Sequence, residues 1–284
     1  MNKNEARRKA KLRPKLLVSF SGGKTSAYMS KLIKEKMSDS HELLFVFANT
    51  GQERKETLNF VRDCDEFFNL DLVWVEASVN PESGEGTSFK VTNYENASLD
   101  GSPFEEVIKK YGISNKAYPH CTRELKAVPI RKYALSRGWK DYQTAIGIRA
   151  DEPNRIGSDP KFIYPMHDWM IDKIDVNNFW ERMPFNLNLL EHQGNCSWCW
   201  KKSSKKHFML IKESPEIYDF PERMEEKYGL AGHNIDGTKR VFFLGNKSTK
   251  ALKEEYQLIG GSSRQRTIFE DENSGCSESC EAFA

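Results

Sequence analysis

Residues Ser21-Gly22-Gly23-Lys24-Thr25-Ser26 bring two glycines, a lysine and three hydroxyl side chains into consecutive positions. Without a Cβ, Gly22 and Gly23 let the backbone turn sharply and present its N–H groups to phosphate oxygens, and Lys24, Ser21, Thr25 and Ser26 add donors for the same anion. A Walker A loop needs a further glycine where this chain has Val18, so kinase and GTPase chemistry of that type is excluded. Sulfur is the second reactive element. Cys196-Ser197-Trp198-Cys199 spaces two thiols closely enough to ligate one ion, and Cys121, in Pro119-His120-Cys121-Thr122-Arg123, is a candidate third.

These groups need a scaffold, and the hydropathy pattern supplies one. Leu16-Leu17-Val18-Ser19-Phe20 reads as a buried strand and Thr25 to Lys36 as a helix, so the glycine loop is a strand-to-helix turn whose helix dipole favours an anion. Strand Leu43 to Phe47, helix Lys55 to Phe68 and strand Leu72 to Val75 follow, then helices Phe104 to Tyr111 and Leu125 to Arg137, and strands Tyr142 to Ile148 and Phe162 to Tyr164. Alternating strands and helices predict an α/β domain over about 14–165 with a five-stranded parallel sheet. Residues 80–102, rich in Gly, Ser, Asn and Glu, read as a mobile surface insertion. A helical, aromatic region carrying the CxxC is expected over 166–259, with Trp198 and Trp200 buried in it rather than stacking a base, and a flexible tail with Cys276 and Cys280 over 260–284. Cys64, inside a periodic helix, reads as a small core residue.

Composition narrows the partners. With 43 basic and 41 acidic side chains the formal charge is +2, so no global field draws the chain to nucleic acid or membrane. Local basic runs, Lys3 to Lys15 and Lys201 to Lys206, are the places where nucleic-acid phosphates would be met. No apolar stretch is long enough to span a bilayer and the basic leader lacks an apolar segment, so a cytoplasmic protein is expected. In that reducing setting its six cysteines point to metal or thiol chemistry.

Several motifs in order resemble the PP-loop superfamily of adenine nucleotide α-hydrolases, and its PAPS reductase branch in particular. The glycine loop is similar to SGGxDS, with Thr25 in place of the aspartate. Phe47 to Glu53, continued by Glu56 to Val61, resembles ANTGxE...ETxxFV, and Gly147 to Glu152 resembles GIRADE. With Cys121-Thr122-Arg123 to Pro129, the likeness runs from about Leu16 to Lys202. Each motif follows a strand, where open α/β sheets bind ligands. The resemblance implies binding of PAPS, adenylyl sulfate or ATP, the last with Mg, by the loop together with Gly147. It suggests Asn49, Thr50 and Glu53 for the base or ribose and Arg149 for phosphate or sulfate.

Relatives that reduce adenylyl sulfate hold a 4Fe-4S cluster with four cysteines, but this chain has His120-Cys121 where they have two cysteines. Related tRNA-thiolating enzymes hold such a cluster with three, a pattern that Cys121, Cys196 and Cys199 match. A Cys3His zinc site using His120, His192 or His207 and a metal-free redox dithiol are alternatives. Sulfonucleotide reductases carry their nucleophilic cysteine near the C-terminus, which suggests Cys280 or Cys276, although the ECGxH wording is absent. Three functions stay open: reduction of a sulfonucleotide, drawing on a thiol electron donor; ATP-dependent sulfur insertion into nucleic acid or a small substrate; and a catalytically silent nucleotide-binding module.

Overall fold

The computed structural model describes residues 13–260, except Ser83, Asn195, Ile235 and Asp236. Most of the basic leader from Lys3, and the tail bearing Cys276 and Cys280, lie outside the described residues. Strands β1 (Lys15–Phe20), β2 (Glu42–Asn49), β3 (Val73–Val79), β4 (Thr87–Thr92), β5 (Gln143–Ala145) and β6 (Phe162–Ile163) form one six-stranded sheet in the order β4-β3-β2-β1-β5-β6. All pairings are parallel except β3 with β4. The interior strands are apolar on both faces, as a sheet covered by helices requires: Leu16, Leu17, Val18, Phe45, Val46 and Val75 are all buried.

The sheet has six strands rather than five because the stretch expected to be mobile contains β4. Its Phe89 and Val91 alternate with Ser88, Lys90 and Thr92, but the run is short, flanked by Gly, Ser, Asn and Glu, and at an antiparallel edge where its residues are exposed or only half-buried beyond Thr87. Helices α1 (Lys24–Met37) and α2 (Lys55–Phe68) connect the first three strands, and α3 (Ser102–Tyr111) follows β4. Thr122–Ala127 then forms a π-helical turn that runs into α4 (Val128–Ser136). Pro129 has no N–H and its ring crowds the carbonyl four residues back, which favours a widened turn there.

Chain order makes β1 the pivot: β2 and β3 lie on one side of it, β5 and β6 on the other. Such a reversal opens a crevice beyond the carboxyl ends of β1 and β5, where ligands bind in open α/β sheets. After β6 come α5 (Pro165–Asp168), α6 (Lys173–Glu181), α7 (Ser204–Glu213), α8 (Asp219–Tyr228) and α9 (Thr249–Gly260). The CxxC lies on none of these helices but in the loop between α6 and α7. Trp180 of α6 joins the core formed by β1, α1 and α2, whereas Trp198 joins a second core formed by α3, α7, α8 and α9. No helix among the described residues is long and apolar enough to cross a membrane.

Candidate functional site

The glycine loop leaves β1 at Phe20 and enters α1 at Lys24. Gly22 sits at φ +85°, a left-handed conformation, and a Cβ there would meet Thr57 Cγ2 at 2.8 Å. Ser26 braces the turn: its Oγ accepts from Ser21 N at 3.1 Å, interacts with Ser21 Oγ at 2.9 Å and donates to the Gly23 carbonyl at 3.0 Å. Ser21 and Ser26 thus hold the loop's shape. Gly23 caps α1 with no side-chain acceptor, so the first-turn N–H groups are left for a ligand.

Beneath the loop, Trp180 Nε1 donates to the Lys24 carbonyl at 3.0 Å. Across it stands the Gly147 backbone, where a Cβ would come within 3.2 Å of Ser26 Cα; only glycine lets the segment after β5 pass this close. That segment carries Arg149, whose Nη1 reaches Thr25 Oγ1 at 3.5 Å while its Nε and Nη2 grip Asp151 at 2.8 and 2.9 Å. Burial disfavours its charge, but the Asp151 hydrogen bond and the nearby Glu152 and Asp151 carboxylates outweigh that and raise its pKa. Arg149 therefore stays cationic. Lys24 is the reverse case, because desolvation lowers its pKa more than Glu181 raises it.

Lys24, Thr25, Arg149 and Lys173 line one cavity of about 320 Å3, whose far wall is Val176 and Asn177 of α6 and the strap from Leu187 to Gly194. Its size suits a small ligand and its cations suit an anionic one. Lys173 has no sequence motif around it. It enters because the Asp172 capping box starts α6 at the cavity edge, and it rests on Glu191 of the strap at 3.1 Å.

Asn49, Thr50 and Glu53 do not line this cavity. Asn49 is fully buried, with Nδ2 donating to Glu76 Oε1 at 2.7 Å and to the Ser98 carbonyl at 2.8 Å, which fastens the loop after β4. Glu53 turns the other way and accepts from Thr50 N at 2.9 Å and from Thr50 Oγ1 at 2.8 Å. Thr50 and Glu53 face the cysteines. Glu53 pairs with Cys196 in an isolated antiparallel bridge, and Ser197 N donates to the Gln52 carbonyl at 2.9 Å. The end of β2 thereby fixes the CxxC.

Cys121, Cys196 and Cys199 all border a second cavity, with Thr50, Thr122 and Lys126 among its other walls. The π-helical turn directs Cys121, Thr122, Leu125 and Lys126 to this one side. Cys121 Sγ accepts from Trp200 Nε1 at 3.4 Å, and Cys196 Sγ lies 3.4 Å from Thr50 Oγ1 and 3.8 Å from Glu53 Oε1. The open space is about 10 Å3, room for roughly one water. Among the described residues no three His, Cys, Asp or Glu side chains gather to hold a metal ion. As placed, the three thiols do not fit a 4Fe-4S cluster.

The histidines considered as a fourth ligand are engaged elsewhere. His192 Nε2 meets Glu213 Oε2 at 2.7 Å, and His207 Nδ1 meets the Tyr218 hydroxyl at 2.7 Å. Burial, helped by the charge of Lys202, pushes the His207 pKa down to about 3. Burial and the charge of Arg240 lower that of His120. Cys64 is completely buried, which pushes its thiol pKa up. The run Lys201 to Lys206 is not a solvated face: Lys202 and Lys206 are buried, with Lys202 Nζ donating to the Gly194 carbonyl at 2.5 Å and Lys206 3.7 Å from Glu191.

Comparison with known proteins agrees with this geometry. The family model described as "Phosphoadenosine phosphosulfate reductase domain" matches residues 15–163, the segment that builds the sheet, the glycine loop and Arg149. The "Uncharacterized nin region protein ORF290" of Escherichia phage lambda is 32% identical over 279 residues, 94% of each chain. Two proteins of Methanocaldococcus jannaschii match partially: "Uncharacterized protein MJ0066" is 27% identical over 50% of this chain, and "Uncharacterized protein MJ0973" is 31% identical over 47%. The matches cover 24% and 26% of those two proteins. With its sheet, its glycine loop and the family model in agreement over more than half its length, the chain belongs to the phosphoadenosine phosphosulfate reductase domain family of the PP-loop superfamily.

Proposed function

We propose that the chain is an enzyme that binds a sulfonucleotide, PAPS or adenylyl sulfate, and reduces its sulfonyl group. The observation that supports this reading is the cation-lined cavity of Lys24, Thr25, Arg149 and Lys173, whose wall includes Gly194, close in sequence to Cys196 in the wall of the thiol cavity. In it the loop N–H groups and Lys24 hold the nucleotide phosphate, and Arg149 and Lys173 neutralise charge on the sulfate end. An enzyme thiolate attacks sulfur and the nucleotide phosphate leaves; a second thiol then displaces sulfite and a disulfide forms. Cys280 and Cys276 of the tail remain candidates for the attacking thiolate.

A second reading is ATP cleavage to AMP and pyrophosphate coupled to sulfur insertion into nucleic acid or a small molecule. The intact Gly22–Gly23 pair supports it, since a pyrophosphate needs close backbone approach. Anaerobic incubation of the reduced full-length chain with PAPS, adenylyl sulfate and ATP separates the two. Sulfite with adenosine 3′,5′-bisphosphate or AMP supports reduction, and pyrophosphate from ATP supports the second. No turnover of any of the three leaves the silent nucleotide-binding module.

A further inference from the structure

The thiol cavity contains a pairing that neither the nucleotide site nor a metal centre accounts for. Cys196 and Cys199 pack against each other, both only 6% exposed. Cys199 N donates to the Cys196 carbonyl at 3.1 Å, which closes a tight turn and keeps the two Cα atoms within about 7 Å. That separation is compatible with a disulfide. Cys196 Sγ faces two oxygens, Thr50 Oγ1 at 3.4 Å and Glu53 Oε1 at 3.8 Å.

These oxygens determine the form of the sulfur. Thr50 Oγ1 lies 2.8 Å from each carboxylate oxygen of Glu53, to which it donates, and accepts from Gln52 N at 3.3 Å, which leaves one lone pair for Cys196. A protonated thiol donates into this acceptor-rich corner. A metal-bound thiolate there would face a buried carboxylate of like charge. Thr50 and Glu53, implied for the base or ribose, thus flank Cys196 with partners for S–H, in a space of about one water.

We infer that Cys196 and Cys199 are a redox dithiol that stores the electron pair for sulfur reduction, with Thr50 and Glu53 as positioning residues. This rests on the sulfonucleotide reading. The sulfonyl sulfur gains the two electrons that the dithiol loses: the sulfonucleotide and two S–H groups become sulfite, the free nucleotide phosphate, one Cys196–Cys199 disulfide and two protons. The attacking thiolate breaks the S–O bond to the nucleotide and takes the sulfonyl group; one thiol of the pair then displaces sulfite from it, and the other closes the Cys196–Cys199 bond and returns the attacking thiol. An external dithiol resets the pair by thiol–disulfide exchange.

The test uses the wild-type full-length chain, purified anaerobically and first assayed for iron, zinc and acid-labile sulfide. The chain is equilibrated in dithiothreitol buffers of increasing oxidised fraction, alkylated and mapped by peptide mass spectrometry. A reversible Cys196–Cys199 disulfide, with less than about a tenth of a metal ion per chain, is the expected result. Glu53→Gln retains an oxygen for Thr50 and is expected to shift the oxidation midpoint by threefold or more in thiol ratio without altering nucleotide affinity. Stoichiometric iron or zinc released on Cys196→Ser, or a pair still reduced in the most oxidising buffer, overturns the inference. Reversible oxidation by the buffers but not by PAPS or adenylyl sulfate supports the dithiol and removes the sulfonucleotide reading instead.

Discussion

At the scale of single residues, Lys24 is expected to make the largest charged contact in the nucleotide cavity. Lys24→Ala should weaken binding of ATP and of adenosine 3′,5′-bisphosphate about tenfold, roughly 1.4 kcal/mol, by calorimetry. Because burial lowers its pKa, affinity should begin to fall with rising pH before an ordinary lysine deprotonates. His207 tests the opposite limb. Its folded pKa of about 3 lies below the ordinary 6.5, so the unfolded chain takes up its proton first, and stability present above pH 6.5 is lost as pH falls towards 3. This group alone should remove about 2 kcal/mol between pH 7 and pH 5. His207→Asn, whose amide replaces Nδ1 against Tyr218, should flatten that part of the urea-measured stability profile.

At the scale of elements, two close approaches hold the site together. Gly22→Ala combines a left-handed φ with a 2.8 Å contact to Thr57 Cγ2, and should cost about 2 kcal/mol or more in urea unfolding. Gly147→Ala places its Cβ against the α1 backbone and should push Arg149 away from Thr25, reducing nucleotide affinity at least tenfold with a smaller loss of stability. Measuring both properties in both variants distinguishes a loop that shapes the core from one that shapes the cavity. The π-helical turn is a further case. Deleting Ala127 should shorten it towards an α-helix, turning Cys121 and Lys126 off the thiol cavity, and Cys121 should then be alkylated faster in the native chain.

At the scale of the whole molecule, the segments after the sheet complete the site. Trp180 from α6 supports the Lys24 carbonyl from below, so Trp180→Ala should cost about 3–5 kcal/mol by urea unfolding and also weaken nucleotide binding. Most strands, the helices α1 and α2 and the strand-to-helix place of the glycine loop were legible in the sequence, because period, glycine position and β-strand propensity act over a few residues. Strand β4 was not, since Phe89 and Val91 are its only apolar residues and lie in a stretch rich in Gly, Ser, Asn and Glu at the sheet edge. The motif around Asn49, Thr50 and Glu53 was legible as a polar turn after β2 but not as to what it faces. Its residue types suit a ribose or a thiol equally, and only the bridge from Glu53 to Cys196 turns it towards sulfur. Lys173, Trp180 and the inward-turned Lys202 and Lys206 carry no local signal at all. Sequence by itself determined which groups could bind phosphate and react through sulfur; the tertiary structure decided which of them meet, because residues far apart in the chain become neighbours only when the sheet reverses at β1 and the later helices fold back over it.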